Sequence, residues 1–556
     1  MDSTRNIAVA LSEMARQQPE TVAIRCPSGR DAQGRRRWDR CLTYAELDRR
    51  SDAIARGLLA CGFARGERCA LMVRPGPELF ALMFALFKAG IVPVLIDPGI
   101  GRRALGQCLA EAAPSGFIGI PLAHAARLLL GWARASVRRT VTVGRIAPWG
   151  GLRLDQVEAM GRERRDPLCI GDADDLAAIL FTSGSTGPPK GVCYRHRHFR
   201  AQVDMLREAF GIEPGGVDLP TFPPFALFDP ALGLTSVIPD MDPTRPAKAD
   251  PAGLVEAIER HGIVQMFGSP ALLDVLGRHG VAHGVKLSSL RRVTSAGAPV
   301  RFDIVARMQR ILPPEARIWT PYGATECLPV AVIEGRELAE TRIATEAGAG
   351  TCVGRPLARN LVRLIAITDA PIADWSETRP VAPGEVGEIT VTGPSTTDRY
   401  HNRPDADAAA KIRERLPDGT VRIVHRMGDL GWLDDHGRLW FCGRKAQRVE
   451  TAEGTLHTEQ VEPVFNRHPA VRRCALVGVG TRPNQRPVLV VEPEGRPGRR
   501  ERARLTAALF ELGRQHAHTR RIRDILFHPA LPVDIRHNAK IDREHLAAWA
   551  ARRLRR

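Results

Sequence analysis

Apolar and polar positions along residues 42–100 trade places in a recurring order, helix then strand then helix. Leu42-Thr43-Tyr44-Ala45-Glu46-Leu47 predicts a helix start, with Thr43 as N-cap and Glu46 at capping-box distance. Apolar positions then recur at helical period through Ile54, Leu58 and Leu59. Cys69 to Val73 reads as a buried strand and Glu78 to Ala89 as a helix. Ile91 to Ile96 reads as the next strand, closed by Asp97-Pro98-Gly99. Strands alternating with helices predict βαβ units and parallel sheet. The pattern resumes at 176–181, 262–267 and 291–295. Around 386–393 and 421–442, shorter strands separated by Gly and Asp turns predict a smaller β-rich subdomain. Beyond Gly443, strands at 471–479 and 487–492 and an Arg-rich helix at 501–516 predict a small α+β unit.

A chain of 556 residues is too long for one core and calls for several domains. With 44% apolar and 26% charged residues, the composition is that of a globular protein. No uncharged apolar stretch is long enough for a membrane span, and Met1 to Arg5 lacks the pattern of a secretory signal. Eleven cysteines without CxxC pairs point to reduced thiols in a cytoplasmic setting. The net charge of +18 invites a nucleic-acid reading, but its distribution argues against one. Only seven of the 80 basic residues are lysine, the arginines spread over the whole length, and no basic cluster alternates with stacking aromatics. Where arginine is the default cation, a lysine that persists marks a need for a compact ammonium.

Residues 182–191 read Thr-Ser-Gly-Ser-Thr-Gly-Pro-Pro-Lys-Gly after the apolar run Leu176 to Phe181. Glycines let backbone N–H groups approach an anion, while hydroxyls and an ammonium add charge-assisted hydrogen bonds. The spacing is not that of the Walker loop, since Lys190 follows two prolines. A flexible Ser/Gly linker would not carry Pro-Pro-Lys behind a hydrophobic strand. This loop reads as a phosphate cradle.

Five further segments gain meaning beside it. Ser295-Ala296-Gly297-Ala298-Pro299 places small residues where a flat ring can lie. Tyr322-Gly323-Ala324-Thr325-Glu326 supplies an aromatic, a hydroxyl and a carboxylate able to hold Mg²⁺. Asp429 suits a ribose diol, Arg444 a phosphate, and Lys540 is one of the rare lysines. Each alone has a plainer reading: Tyr322 as core, Gly428-Asp429 as a turn, Lys540 as a solvated cation. Their order and spacing carry the argument.

The set resembles the adenylate-forming superfamily, which includes acyl-CoA synthetases, luciferases, fatty-acyl-AMP ligases and peptide-synthetase adenylation domains. The resemblance runs from Leu42 to Arg543. It includes Lys88-Ala89-Gly90, Val353-Gly354-Arg355-Pro356, Tyr400-His401-Asn402-Arg403-Pro404 and His468-Pro469. It implies an α/β fold: a large N-terminal adenylation domain over 1–443, with stacked βαβ sheets and the small β-rich subdomain. A small, mobile α+β domain would follow over 444–556. Thr182, Ser183, Gly184, Ser185, Thr186 and Lys190 would form the pyrophosphate-side loop. Gly297, Ala298, Pro299 and Tyr322 would line the adenine pocket, with Gly323 and Ala324 also at the nucleotide. Thr325 would touch the α-phosphate, Glu326 would hold Mg²⁺, and Asp429 would take the ribose with Arg444 nearby. Lys540 would bridge carboxylate and α-phosphate, so Lys540, Glu326 and Thr186 are the expected catalytic residues and ATP and Mg²⁺ the cofactors.

The chain departs from the thioester-forming members at four places. The usual hinge Asp or Lys aligns with Ala446, beside Lys445, and a glycine of the pantetheine path aligns with Glu453. Ala226 stands where many acyl-CoA ligases have histidine, and Ala539 replaces the glycine before the catalytic lysine. A branch that needs no external acceptor fits these changes, because a β-hydroxy acid can close on its own activated carboxyl. In texture, including Phe228-Asp229-Pro230 and Leu456-His457-Thr458-Glu459, the chain resembles the bacterial olefin-biosynthesis β-lactone synthetases. That resemblance implies a long-chain 2-alkyl-3-hydroxy acid substrate. It also implies a pathway assembly with a thiolase, a ketoreductase and a β-lactone decarboxylase. A fatty-acyl-CoA or acyl-AMP ligase is the alternative. Met266, Phe267 and Phe222–Phe228 are candidate acyl-pocket residues, and His457 and Glu459 candidate helpers of the attacking hydroxyl.

Overall fold

The computed structural model describes residues 6–168, 170–182, 188–533 and 541–555. The βαβ pattern of the first hundred residues opens a seven-stranded sheet that the chain completes by Arg195. Its order is Lys190–Arg195, Leu176–Thr182, Val92–Ile96, Arg68–Met72, Gly116–Gly119, Arg139–Thr142 and Leu152–Arg153. All neighbours are parallel except Lys190–Arg195, which folds back antiparallel on Leu176–Thr182. The helix Tyr44–Ala60 starts on the Thr43/Glu46 capping box. The helix Pro77–Ala89 is apolar on every side and is correspondingly buried along its length, ending at left-handed Gly90. Lys88, buried within it, is neutralised by Asp48 at 2.6 Å and Asp52 at 2.7 Å.

A second sheet of 14 strands lies across this helical layer. Its parallel part contains Val217–Pro220, Gln265–Phe267, Arg292–Thr294 and Arg317–Ala324. Its antiparallel part runs through Cys327–Glu334, Thr351–Pro356, Leu439–Arg444, Val421–Leu433, Gly387–Thr392 and Leu361–Ile365. The β-rich stretch expected from 386 to 442 is thus the antiparallel continuation of this ladder. Two boundaries differ from the pattern for local reasons. The strand expected at 262 begins only at Gln265, because Gly262 at φ 57° closes the helix Pro251–His261. The several short strands expected over 421–442 include one of 13 residues, Val421–Leu433, whose register shifts between Leu430 and Gly431.

Residues from Val449 onward build cores of their own. The antiparallel pair Val471–Val479 and Arg486–Pro493 takes Asp524–Phe527 as a parallel third strand. Thr458–Asn466 and Arg499–Arg514 contribute Val461, Phe465 and Leu509 to one core, and Arg543–Leu554 contributes Leu546 and Ala550 to another.

Candidate active site

Three strand ends converge where the parallel part of the large sheet meets its antiparallel part. Crevices at the carboxyl ends of parallel strands are where α/β sheets bind ligands. Ser295 to Pro299 follows Arg292–Thr294, with the Ser295 N–H extending the ladder to the Trp319 carbonyl and Gly297 at φ 94°. Tyr322 lies further along the neighbouring strand. Ala324 pairs with Cys327, so Thr325 and Glu326 are the two turn residues of a hairpin and project past its end. Gly323 has no room for a side chain, since a Cβ there would meet the Cys327 carbonyl at 2.9 Å.

Asp429 and Arg444 face each other across the strands Val421–Leu433 and Leu439–Arg444. Gly428, at φ 65°, and the nearby register shift turn Asp429 toward Tyr322. The Tyr322 hydroxyl donates to Asp429 Oδ2 at 2.6 Å, and Arg444 Nη1 lies 3.0 Å from Oδ1. Burial pushes the Asp429 carboxyl up, with the Arg444 charge pulling it back. Burial and the Asp429 charge hold the Tyr322 phenol well above its usual range, so it remains a donor. Among the described residues, Asp429 Oδ1, although beside Arg444, accepts no well-aligned hydrogen bond, and the buried Ser295 Oγ has no partner either. Orphaned buried oxygens are rare and call for a ligand that completes them. The hydroxyl and amino donors of a nucleoside supply what this crevice lacks.

Glu326 is fixed from below. Tyr400 donates to its Oε1 at 2.7 Å, and Thr397 donates to its carbonyl through both N, at 2.9 Å, and Oγ1, at 3.0 Å. Lys411 in turn reaches the Thr397 carbonyl at 2.6 Å and Oγ1 at 3.2 Å. The Thr325 carbonyl accepts from Tyr194, whose oxygen accepts from Gln202 at 3.2 Å. Burial drives the Lys411 ammonium down to about 8, against the charge of Glu326. Glu326 Oε2 accepts no hydrogen bond from the described residues. Among those residues no three metal-ligating side chains gather. A single carboxylate with a free oxygen is the donor set expected when a magnesium ion is held mainly by substrate phosphates and water. Such an ion would neutralise phosphate charge.

Of the loop residues, Thr182 ends its strand opposite Lys190, the first residue of the return strand. Lys190 Nζ lies 5.1 Å from the centroid of the Tyr400 ring, which places the loop's ammonium on the Glu326 side of the site. Ser183, Gly184, Ser185 and Thr186 lie outside the described residues, and so does Lys540. Tyr400 and Lys411 are functional neighbours that pattern reading assigned no role. Lys411 carried a usable signal, being another of the seven lysines in an arginine-rich chain.

Lys445, next after Arg444, binds Glu388 at 2.9 Å and the Thr368 carbonyl at 2.9 Å, while Ala446 sits in the short turn Lys445–Gln447. Glu453 is exposed at the tip of the hairpin Val449–Leu456, with Arg521 3.9 Å away. Ala226 is buried in the short helix Pro223–Ala226. Phe225 meets Phe222 and Phe267 edge to face, and Phe222 lies tilted to Phe267, with centroids 4.6–6.3 Å apart. Met266 is part of the sheet's core. Glu459 contacts Thr351 and His457 contacts Gln460.

Residues 11–401 match the family model described as AMP-binding enzyme. The olefin beta-lactone synthetase of Stenotrophomonas maltophilia (strain K279a) is 62% identical, covering 100% of this chain and 99% of that protein. That of Xanthomonas campestris pv. campestris is 61% identical, covering 99% and 98%. Among solved structures, the amide bond synthetase McbA from Marinactinospora thermotolerans superposes with a TM-score of 0.77 at 24% identity, covering 98% of this chain and 99% of that one. The O-succinylbenzoate coenzyme A synthetase of Bacillus subtilis, in complex with ATP and magnesium ion, gives 0.72 at 20% identity, covering 97% and 98%. These structural likenesses show the fold.

Proposed function

The chain belongs to the AMP-binding enzyme family of adenylate-forming enzymes, and from that premise we propose that it converts a long-chain 2-alkyl-3-hydroxy fatty acid into a β-lactone. In the first step a carboxylate oxygen attacks the α-phosphorus of ATP, the acyl–phosphate bond forms, and pyrophosphate leaves. In the second, the 3-hydroxyl attacks the acyl carbon, the bond to AMP breaks, and the hydroxyl proton is lost as the four-membered ring closes. Proximity within one molecule replaces a second substrate. The observation that carries this reading is the 62% identity, over the full chain, to a protein named for that reaction.

The site residues divide the work of the first step. Asp429, oriented by Tyr322 and Arg444, takes the ribose hydroxyls, and Ser295 to Pro299 with Tyr322, Gly323 and Ala324 accommodate adenine. Thr325 meets the α-phosphate, and Glu326, braced by Tyr400 and Thr397, holds Mg²⁺. Thr182 to Thr186 with Lys190 bind the β- and γ-phosphates. Lys540 supplies positive charge where two anions meet. Incubation with ATP, Mg²⁺ and a 3-hydroxy fatty acid, with and without coenzyme A, tests the proposal. A neutral product lighter than the acid by one water, formed equally without coenzyme A, is expected. A thioester formed only with coenzyme A would replace this reading with an acyl-CoA ligase. Free acyl-adenylate as the end product would replace it with an acyl-AMP ligase. The enzyme would act in the cytoplasm, within an assembly containing the thiolase, ketoreductase and lactone decarboxylase that its substrate and product require.

We also assign the boundary between a domain over 1–443 and a mobile one over 444–556. A carboxyl at their contact makes that mobility pH-dependent. Thr351 Oγ1 donates to Glu459 Oε2 at 2.9 Å, and burial with the nearby Glu462 charge pushes the Glu459 carboxyl up to about 7. Released into water it returns to about 4.3. The docked arrangement is therefore favoured fully below about 4.3, and that advantage is lost as pH rises through about 7. Energy transfer between dyes on the two domains should fall as pH rises from about 4.3 to about 7, and Glu459→Gln should flatten the profile. An unchanged profile in the variant would remove Glu459 from this role.

A further inference from the structure

Five of the large aliphatic side chains the structure leaves exposed fall in one stretch of the first sheet's far edge. Leu122, Leu128, Leu129 and Leu130 belong to the helix Pro121–Leu130, and Ile146 to the loop that follows Arg139–Thr142. Leu129 is 85% exposed and Leu122 69%. The helix has its buried side at His124, so Leu122 and Leu129, one helical face apart from it, turn to solvent. Leu128 and Leu130 flank them. The Ile146 loop is tied to the same helix, because Trp149 stacks on His124 at 5.2 Å and Gly144 packs against Pro121. A helix that is apolar on its outer as well as its inner face has no reason to stay in water.

The charge along the segment that carries this patch has one sign. Between Glu111 and Asp155 the sequence carries six arginines and no lysine or carboxylate. Arg134, Arg138 and Arg145 are exposed and make no ion pair with any described carboxylate. Arg102 and Arg103 are likewise exposed on the adjacent helix Arg102–Ala112, which touches this region through Gly106 against Trp132. Elsewhere arginines are routinely paired, as Arg139 is with Glu67 and Arg153 with Asp155. Unpaired guanidinium groups around a cluster of leucines match a surface with anionic headgroups over an acyl layer. A protein partner is less well matched, since leucine is under-represented among the residues that dominate such interfaces. Among the described residues no helix is long and apolar enough to cross a membrane, so contact would be with the surface.

We propose that the helix Pro121–Leu130 and the Ile146 loop dock this protein on anionic lipid surfaces, with the leucines entering the acyl layer and Arg102, Arg103, Arg134, Arg138 and Arg145 meeting phosphates. This needs no acyl substrate and stands independently of the lactone chemistry. Co-sedimentation of the full chain with phosphatidylglycerol vesicles, against phosphatidylcholine vesicles, tests it. Binding to the anionic vesicles is expected, falling about tenfold or more in Leu128→Asp/Leu129→Asp and in Arg134→Glu/Arg138→Glu. Adenylate formation from a water-soluble short-chain acid should be unchanged in both variants, which shows that they fold. Equal sedimentation of wild type and variants, or none by wild type, would overturn the proposal. So would a wild-type dimer that ignores vesicles and dissociates in the leucine variant, since the patch would then be a contact between copies.

Discussion

Lys540→Ala is expected to leave ATP binding nearly intact while slowing adenylate formation by about 10²–10³, on the order of 3–4 kcal/mol in the barrier. The cause is electrostatic. A carboxylate approaching an α-phosphate brings two anions together, and charge builds on the transferring oxygens. In the proposed assignment the ground-state nucleotide would keep other anchors in Asp429, with Arg444 and Tyr322 beside it at 3.0 and 2.6 Å, and in the loop that ends at Lys190. A lysine carried on the C-terminal unit adds little to these until the acid is in place, so its loss falls on the transition state. Pyrophosphate release in the presence of acid, set against nucleotide affinity by calorimetry, separates the two. Wild-type release by the variant would dismiss Lys540 from catalysis. A matching loss of affinity would make it a binding residue instead.

The candidate site was legible in the sequence where chemistry and backbone coincide. Thr325 and Glu326 stood out as a hydroxyl and a carboxylate after an aromatic, and the structure makes them the turn of a hairpin. Gly428-Asp429 read equally as a turn, because a glycine before an aspartate gives the same signal in a turn and in a shifted strand. Only the pairing of Asp429 with Arg444 separates the two. Thr43 and Glu46 announced their helix because a capping box is wholly local. What braces Glu326 was illegible for the opposite reason. Tyr400 and Thr397 lie over 70 residues from it, and nothing local in either marks the contact. The exposed leucines of Pro121–Leu130 were illegible in another way: periodicity cannot tell which apolar helix lacks a partner.

A second large effect is expected well away from the nucleotide, at Glu388. Its side chain and that of Arg426 are each 1% exposed and joined by bonds of 2.7 and 3.2 Å. Lys445 adds a second cation at 2.9 and 3.0 Å, so one buried carboxylate is shared between two cations. Burial lowers the Lys445 ammonium from its usual range, and the Glu388 charge works against that. Glu388→Ala removes the anion and leaves both cations in a site built to exclude water, which should cost about 3–5 kcal/mol. Lys445→Met should cost far less, because Glu388 keeps Arg426, and Arg426 keeps the carbonyls of Thr368 and Ala370 at 2.7 and 2.8 Å. Denaturant midpoints of the two variants, followed by tryptophan fluorescence, make the comparison. Equal losses would mean that the pair with Lys445, rather than the one with Arg426, holds this corner together. The asymmetry bears on the proposed joint between the domains. If Lys445 stays on Glu388 while the C-terminal unit turns, the first two residues past the 443/444 boundary stay with the larger domain and the rotation is taken up beginning at Ala446, whose side chain forms no polar tie to resist. Lys445→Met should then weaken the fixed side of that joint, changing the rate of the second half-reaction while pyrophosphate release continues at its normal pace.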